Sequence, residues 1–148
     1  MARRVFFSFH YQRDIWRINQ IRSIPNITGC SAAGFQDASL WEEAKKKSDS
    51  SIKKLIDDGL NNTSVTVVFI GAKTSGRQYI NYEIEQSSKR GNGIIGVQIH
   101  HLKDKDGNTD AEGVIPAKLT ALGVTIYKYV DHAKLGEWIE AAAKGAGK

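Results

Sequence analysis

The chain has 148 residues, 41% hydrophobic and 25% charged, with a formal net charge of +5, a balance ordinary for a soluble globular protein and suited to one domain, residues 1–148, with one sizeable core. No run approaches the roughly 18 consecutive apolar residues of a membrane span, and the start MARRVFFSFHY lacks the apolar stretch and cleavage site of a secretory signal. A lone cysteine, Cys30, excludes an internal disulfide, and four scattered histidines offer no zinc-ligand spacing, which fits a reducing, cytoplasmic setting without membrane or metal. The pI near 9.3 favours anionic partners, but a nucleotide with two phosphates satisfies it as well as a nucleic acid does.

In chain order, RRVFFSFH has apolar residues on both faces of Val5 to Phe9, which predicts a central strand covered on both sides. RDIWRINQIRSI sets Ile15, Trp16, Ile18 and Ile21 among Arg13, Arg17 and Arg22, an amphipathic helix that stops before Pro25. NITGCSAAGFQDAS reads as loop with at most one short strand. DASLWEEAKKKSDSSIKKLIDDGL predicts a long or two-part helix, capped by Asp37 or Ser39, with Ile52, Leu55, Ile56 and Leu60 on one face and Gly59 and Asn61-Asn62 ending it.

TSVTVVFIG is the clearest strand, and TSGRQYINYEIEQSSKR follows as a helix. GIIGVQIHHL is a second buried strand, KDKDGNTDAEGVIP a polar loop and VTIYKY a final strand. HAKLGEWIEAAAKG closes the chain as a helix with Leu135, Trp138, Ile139 and Ala142 inward, and its last few residues are expected to fray. Strands alternating with helices predict an α/β fold: a flavodoxin-like, doubly wound, mainly parallel sheet of about five strands with helices on both faces. Ligands of such sheets bind at the carboxyl ends of the strands, which singles out the loops SFHYQRD, GFQDASLW and GAKTSGRQY.

One carboxylate stands out. At about 100° per residue, Tyr79, Glu83, Ser87, Ile80 and Ile84 share one helical stripe, while Glu85 lies nearly opposite Glu83. Pattern alone leaves two readings for Glu83, a helix-edge carboxylate bridged to a basic residue or a functional group held inside. Simple core packing competes with a binding role for Phe9, Trp41 and Tyr79, helix capping with one for Asp37, and an idle loop position with one for His10. GAKTSG matches neither phosphate-binding glycine motif, and DKDGNTD departs from a calcium loop at Thr109 and Ile115.

Four stretches in order, RRVFFSFHYQ, SAAGFQDASLWEEAKK, GLNNTSVTVVFIGAKTSGRQYINYEIEQS and GNGIIGVQIHHLKD, resemble the TIR-like domain of bacterial Thoeris anti-phage systems, the Thoeris B family. The resemblance implies an NAD-cleaving enzyme whose catalytic glutamate lies four residues past an aromatic on the helix after the third strand. Glu83 and Tyr79 hold those positions, with tyrosine where tryptophan is more usual. It further implies that NAD is the substrate, that no other cofactor is needed, and that the product is a cyclic ADP-ribose isomer acting as a diffusible messenger on a Thoeris effector protein.

Around such a reaction Phe9, His10, Tyr11, Trp41 and Tyr79 are candidates to stack on nicotinamide or adenine. Asp37 is a candidate to order the ribose, and Arg77, Lys73 or Arg13 to meet the diphosphate. The alternative function is a non-catalytic TIR adaptor acting by self-association, and a nucleic-acid binder ranks last for want of a reader motif.

Overall fold

The computed structural model describes residues 3–22, 30–34 and 48–148. Within them run β1 (Arg3–Ser8), α1 (Tyr11–Arg22), β2 (Cys30–Gly34), α2 (Asp49–Leu60), β3 (Val65–Ile70), α3 (Gln78–Lys89), β4 (Gly93–Gln98), α4 (Ala117–Leu122), β5 (Ile126–Lys128) and α5 (His132–Gly145). The strands form one five-stranded sheet in the order β2-β1-β3-β4-β5, every neighbouring pair parallel. This is the flavodoxin-like order expected from the alternation of strands and helices, and the direction of winding reverses between β1 and β3.

Parallel strands need cover on both faces, and the period-two side-chain alternation supplies an apolar surface to each. Val5, Phe7, Val65, Val67, Phe69, Ile95 and Val97 face Ile18 and Ile21 of α1 and Leu135, Ile139 and Ala143 of α5. Within that layer Phe7 meets Phe69 edge-on at 4.8 Å, an arrangement worth about 0.5–1.5 kcal/mol beyond the area it buries. On the other face Phe6 packs against Ile52, Ile56 and Leu60 of α2, while Val68 and Ile70 pack against Ile80 and Ile84 of α3 and Leu119 of α4. Trp138 reaches the edge of the core and stacks on Tyr127 at 4.2 Å.

Several expectations are corrected. Ser48 is extended (φ −165°, ψ 164°) and its side chain accepts the Ser51 N–H, so α2 begins at its own cap, which excludes the long helix and leaves the two-part alternative untouched. Asp37 and Ser39, proposed as caps, lie outside the described residues. Between the polar loop and the last strand, residues given no element by the sequence pattern form a helix, α4, bracketed by Pro116 and by Gly123 in the left-handed region at φ 68°.

In α1 the expected polarity is inverted at two positions: Trp16 is 51% exposed, whereas Arg17 is only 2% exposed. The reason is hydrogen bonding. Arg17 Nη1 donates to Asp14 at 3.0 Å, Nε to the Leu102 carbonyl at 2.8 Å and Nη2 to the Asn108 carbonyl at 3.1 Å, so burial leaves its guanidinium well satisfied. No described helix is long and apolar enough to cross a membrane.

Candidate active site

β1 ends at Ser8 on the face covered by α3, and its register with β3 pairs Ser8 with Val68. Because α3 returns antiparallel to β3, its inward stripe of Ile80, Glu83, Ile84 and Ser87 descends from the carboxyl edge of the sheet toward its centre. Glu83 therefore lies at the level of Ser8, and Ser87 one turn deeper at Thr66. Ser87 Oγ donates to the Glu83 carbonyl at 2.7 Å and lies 2.6 Å from Thr66 Oγ1. Having one proton, already given to that carbonyl, Ser87 must accept from Thr66, and this chain fixes the turn of α3 that carries Glu83 to the central strand.

Glu83 is 2% exposed and Ser8 fully buried, and both Glu83 Oε2 and Ser8 Oγ lack a hydrogen-bond partner among the described residues. Loss of hydration pushes the Glu83 carboxyl up to about 8, opposed only by the Ser8 hydroxyl, which favours the charged form. At neutral pH the resting group is thus mostly the neutral acid. A buried carboxyl with an unused oxygen, at the carboxyl edge beside the switch point, is the arrangement expected of a reactive group rather than a fold support.

His10 caps α1. Its carbonyl accepts the Asp14 N–H at 2.9 Å and its Nδ1 accepts the Arg13 N–H at 3.3 Å, which requires the neutral ring with the proton on Nε2. Burial holds its basicity below the ordinary histidine value, and the nearby Arg77 charge adds to this. His10 and Arg77 are thereby brought together from the first and third of the loops singled out by the sequence; Arg77 occupies the N-cap position of α3 and is exposed.

The other sequence candidates are dispersed. Phe9 packs in the layer between the sheet, α1 and α5, on the face opposite Glu83. Tyr79 packs beside Phe6 and α2, and its hydroxyl donates to Asp49 at 2.7 Å, joining the starts of α3 and α2. The guanidinium of Arg13 is taken by Asp110 in a two-pronged pair at 2.7 and 2.8 Å, and Lys73 is exposed. Tyr11 opens α1, but its side chain, like Asp37 and Trp41, lies outside the described residues.

Sequence reasoning missed Ser8 and the buried Asp14–Arg17 pair. A single serine at a strand end carries no pattern. For Arg17 there was a signal, since about 100° per residue sets it on the same side as Ile21.

The chain is similar to known proteins over most of its length. Residues 6–104 match the family model described as Thoeris protein ThsB, TIR-like domain. A protein of Bacillus cereus (strain MSX-D12) named "Putative cyclic ADP-D-ribose synthase ThsB1" is 49% identical over 144 residues, an alignment covering 93% of this chain and 72% of the relative. With the parallel sheet and the buried glutamate on the helix after β3, these matches identify the chain as a member of the Thoeris ThsB TIR-like domain family.

Proposed function

We propose that this chain cleaves the nicotinamide–ribose bond of NAD and closes the remaining ADP-ribose on itself, releasing a cyclic ADP-ribose isomer, with Glu83 as the catalytic residue. The observation that carries this reading is the buried Glu83 carboxyl with its unused Oε2 at the carboxyl edge of the sheet. The name of the Bacillus cereus relative supports the product class.

In this reaction the C1′–N bond breaks with its electron pair going to the pyridinium nitrogen, so nicotinamide departs neutral and the positive charge passes to the ribose as an oxocarbenium-like centre. A carboxylate beside that sugar stabilises the charge or holds the ribose hydroxyls. The cationic pyridinium of arriving NAD favours the ionised form of Glu83, so substrate itself draws the proton off the resting acid. Ring closure forms a bond from an adenine or ribose atom to C1′, with loss of that atom's proton, and requires a site that folds the dinucleotide and limits water.

His10 and Arg77, brought together from the first and third loops, suit the stacking and diphosphate roles, and Tyr11, Asp37, Trp41 and Tyr79 complete the substrate-binding set; Phe9, buried on the opposite face of the sheet, is not part of it. NAD serves as substrate with no further cofactor. The cyclic product serves as the diffusible signal to a Thoeris effector in anti-phage defence.

The test is incubation of the pure protein and its Glu83→Gln form with NAD, following nicotinamide and nucleotide products by chromatography with mass detection. A product of the mass of cyclised ADP-ribose from the wild type alone supports the reading. Linear ADP-ribose alone makes the chain a hydrolase. Turnover retained in a folded Glu83→Gln protein overturns the role of Glu83, and silence of the wild type, repeated with extract of phage-infected cells, points to an adaptor acting by self-association.

A further inference from the structure

Of the buried polar atoms without a hydrogen-bond partner among the described residues, two lie on the face covered by α3: Ser8 Oγ at the end of β1 and Glu83 Oε2 on α3. Unsatisfied buried groups of this kind are costly, so two facing each other across a strand–helix boundary call for an explanation. Their neighbours are already committed. Thr66 and Ser87 are spent on each other and on the Glu83 carbonyl. Of the charged groups on the surrounding helices, Asp49 is bound by Lys53 and Tyr79, Asp57 by Tyr82, and Lys118 by Glu85 on the outer face of α3. His10 gives its Nδ1 to the start of α1. Among the described residues, Ser8 is the side chain that favours the charged form of the Glu83 carboxyl against its burial, although its hydroxyl makes no hydrogen bond at rest.

We propose that Ser8 is a positioning residue for Glu83: when the carboxyl ionises in the presence of substrate, the Ser8 hydroxyl donates to it and fixes its orientation, leaving the other oxygen for the ribose. The neutral acid makes little demand on a donor, which accounts for the open contact at rest. The carboxylate makes a strong one, and a hydroxyl-to-carboxylate bond is among the stronger hydrogen bonds a protein forms. Ser8 sits at the end of β1 and Glu83 on a helix tied to the neighbouring central strand β3, so the bond aligns the carboxylate with the sheet edge itself. This inference rests on the reading of Glu83 as the reacting carboxylate.

The experiment follows the Glu83 side-chain carboxyl by carbon-13 NMR as a function of pH in wild type, Ser8→Ala and Ser8→Cys, with Glu83→Gln identifying the resonance. Alanine removes the donor, and cysteine keeps comparable bulk with only a weak donor. The expected result is an upward move of the Glu83 titration by about one unit in both variants, the size lost with a hydrogen bond to a charged group. In turnover, the limb of the kcat–pH profile set by Glu83 moves to higher pH by the same amount, with KM for NAD changed less than kcat.

A titration that moves in the alanine variant but not in the cysteine variant means that Ser8 only fills space, and one that moves in neither means that it is idle; both overturn the proposal. The titration needs no turnover. A Glu83→Gln protein that still consumes NAD would defeat the catalytic reading separately, whatever the serine variants show.

Discussion

At the scale of single residues, Glu83 ties stability to pH. Its carboxyl is raised from 4.5 to about 8 on folding. Below its unfolded value both states hold the proton and nothing is lost. As pH rises from there the unfolded chain releases its proton first, so stability falls by about 1.4 kcal/mol per unit until the folded group also ionises. Glu83→Gln abolishes this slope: urea midpoints of the two proteins should diverge steadily in favour of the glutamine form between about pH 5 and 8. Parallel curves would show that Glu83 titrates normally in the fold. The inward orientation of Glu83 was legible from helical periodicity, because Ile80 and Ile84 fix the buried stripe on either side of it. The juxtaposition with Ser8 was not, since it depends on where β1 ends relative to a helix five elements later.

At the scale of elements, the segment after β4 is clasped onto α1. Arg13 and Asp110 pair on the outside, Arg17 reaches the Leu102 and Asn108 carbonyls from below, and Gln20 donates to the Lys103 carbonyl at 2.6 Å. Burial holds the Asp14 carboxyl above its usual range, with the Arg17 bond opposing it. Removing Arg17 alone strands that acid: Arg17→Ala should cost about 3–5 kcal/mol in chemical denaturation, and adding Asp14→Ala should recover part of the loss. A double variant as unstable as the sum of the singles would rule out a coupled pair. A Cβ at Gly113 would stand 2.0 Å from the Gly71 carbonyl oxygen, so Gly113→Ala must part the segment from β3. We expect a loss of about 1–3 kcal/mol, read as a lowered unfolding midpoint. The main strands and helices were legible because their apolar periods are long. α4 was not, because six residues scarcely hold a period, and Arg17 was misread because its acceptors come from a loop about 90 positions away.

At the scale of the whole molecule, order of burial sets order of opening. All six residues of β3 are buried between strands that pair with it on both sides, whereas β5 is a three-residue edge strand of partly exposed residues. Amide exchange should therefore be slowest in β3 and its partners β1 and β4, and fastest among the strands in β5; comparable protection in β5 would contradict this layering. The parallel, doubly covered sheet was legible in full from the alternation of elements, since right-handed crossovers leave few other arrangements. The Thr66–Ser87 contact, finally, bears on how this molecule tolerates changes of length. Between Gly71 and Gln78 an extra residue falls in loop and leaves the helix seated. Between Glu83 and Ser87 it would swing the carboxyl by about 100° relative to its anchor and turn it out of the sheet edge. Length variation should therefore collect in the loop ahead of the helix and be purged from the single turn that joins Glu83 to Ser87.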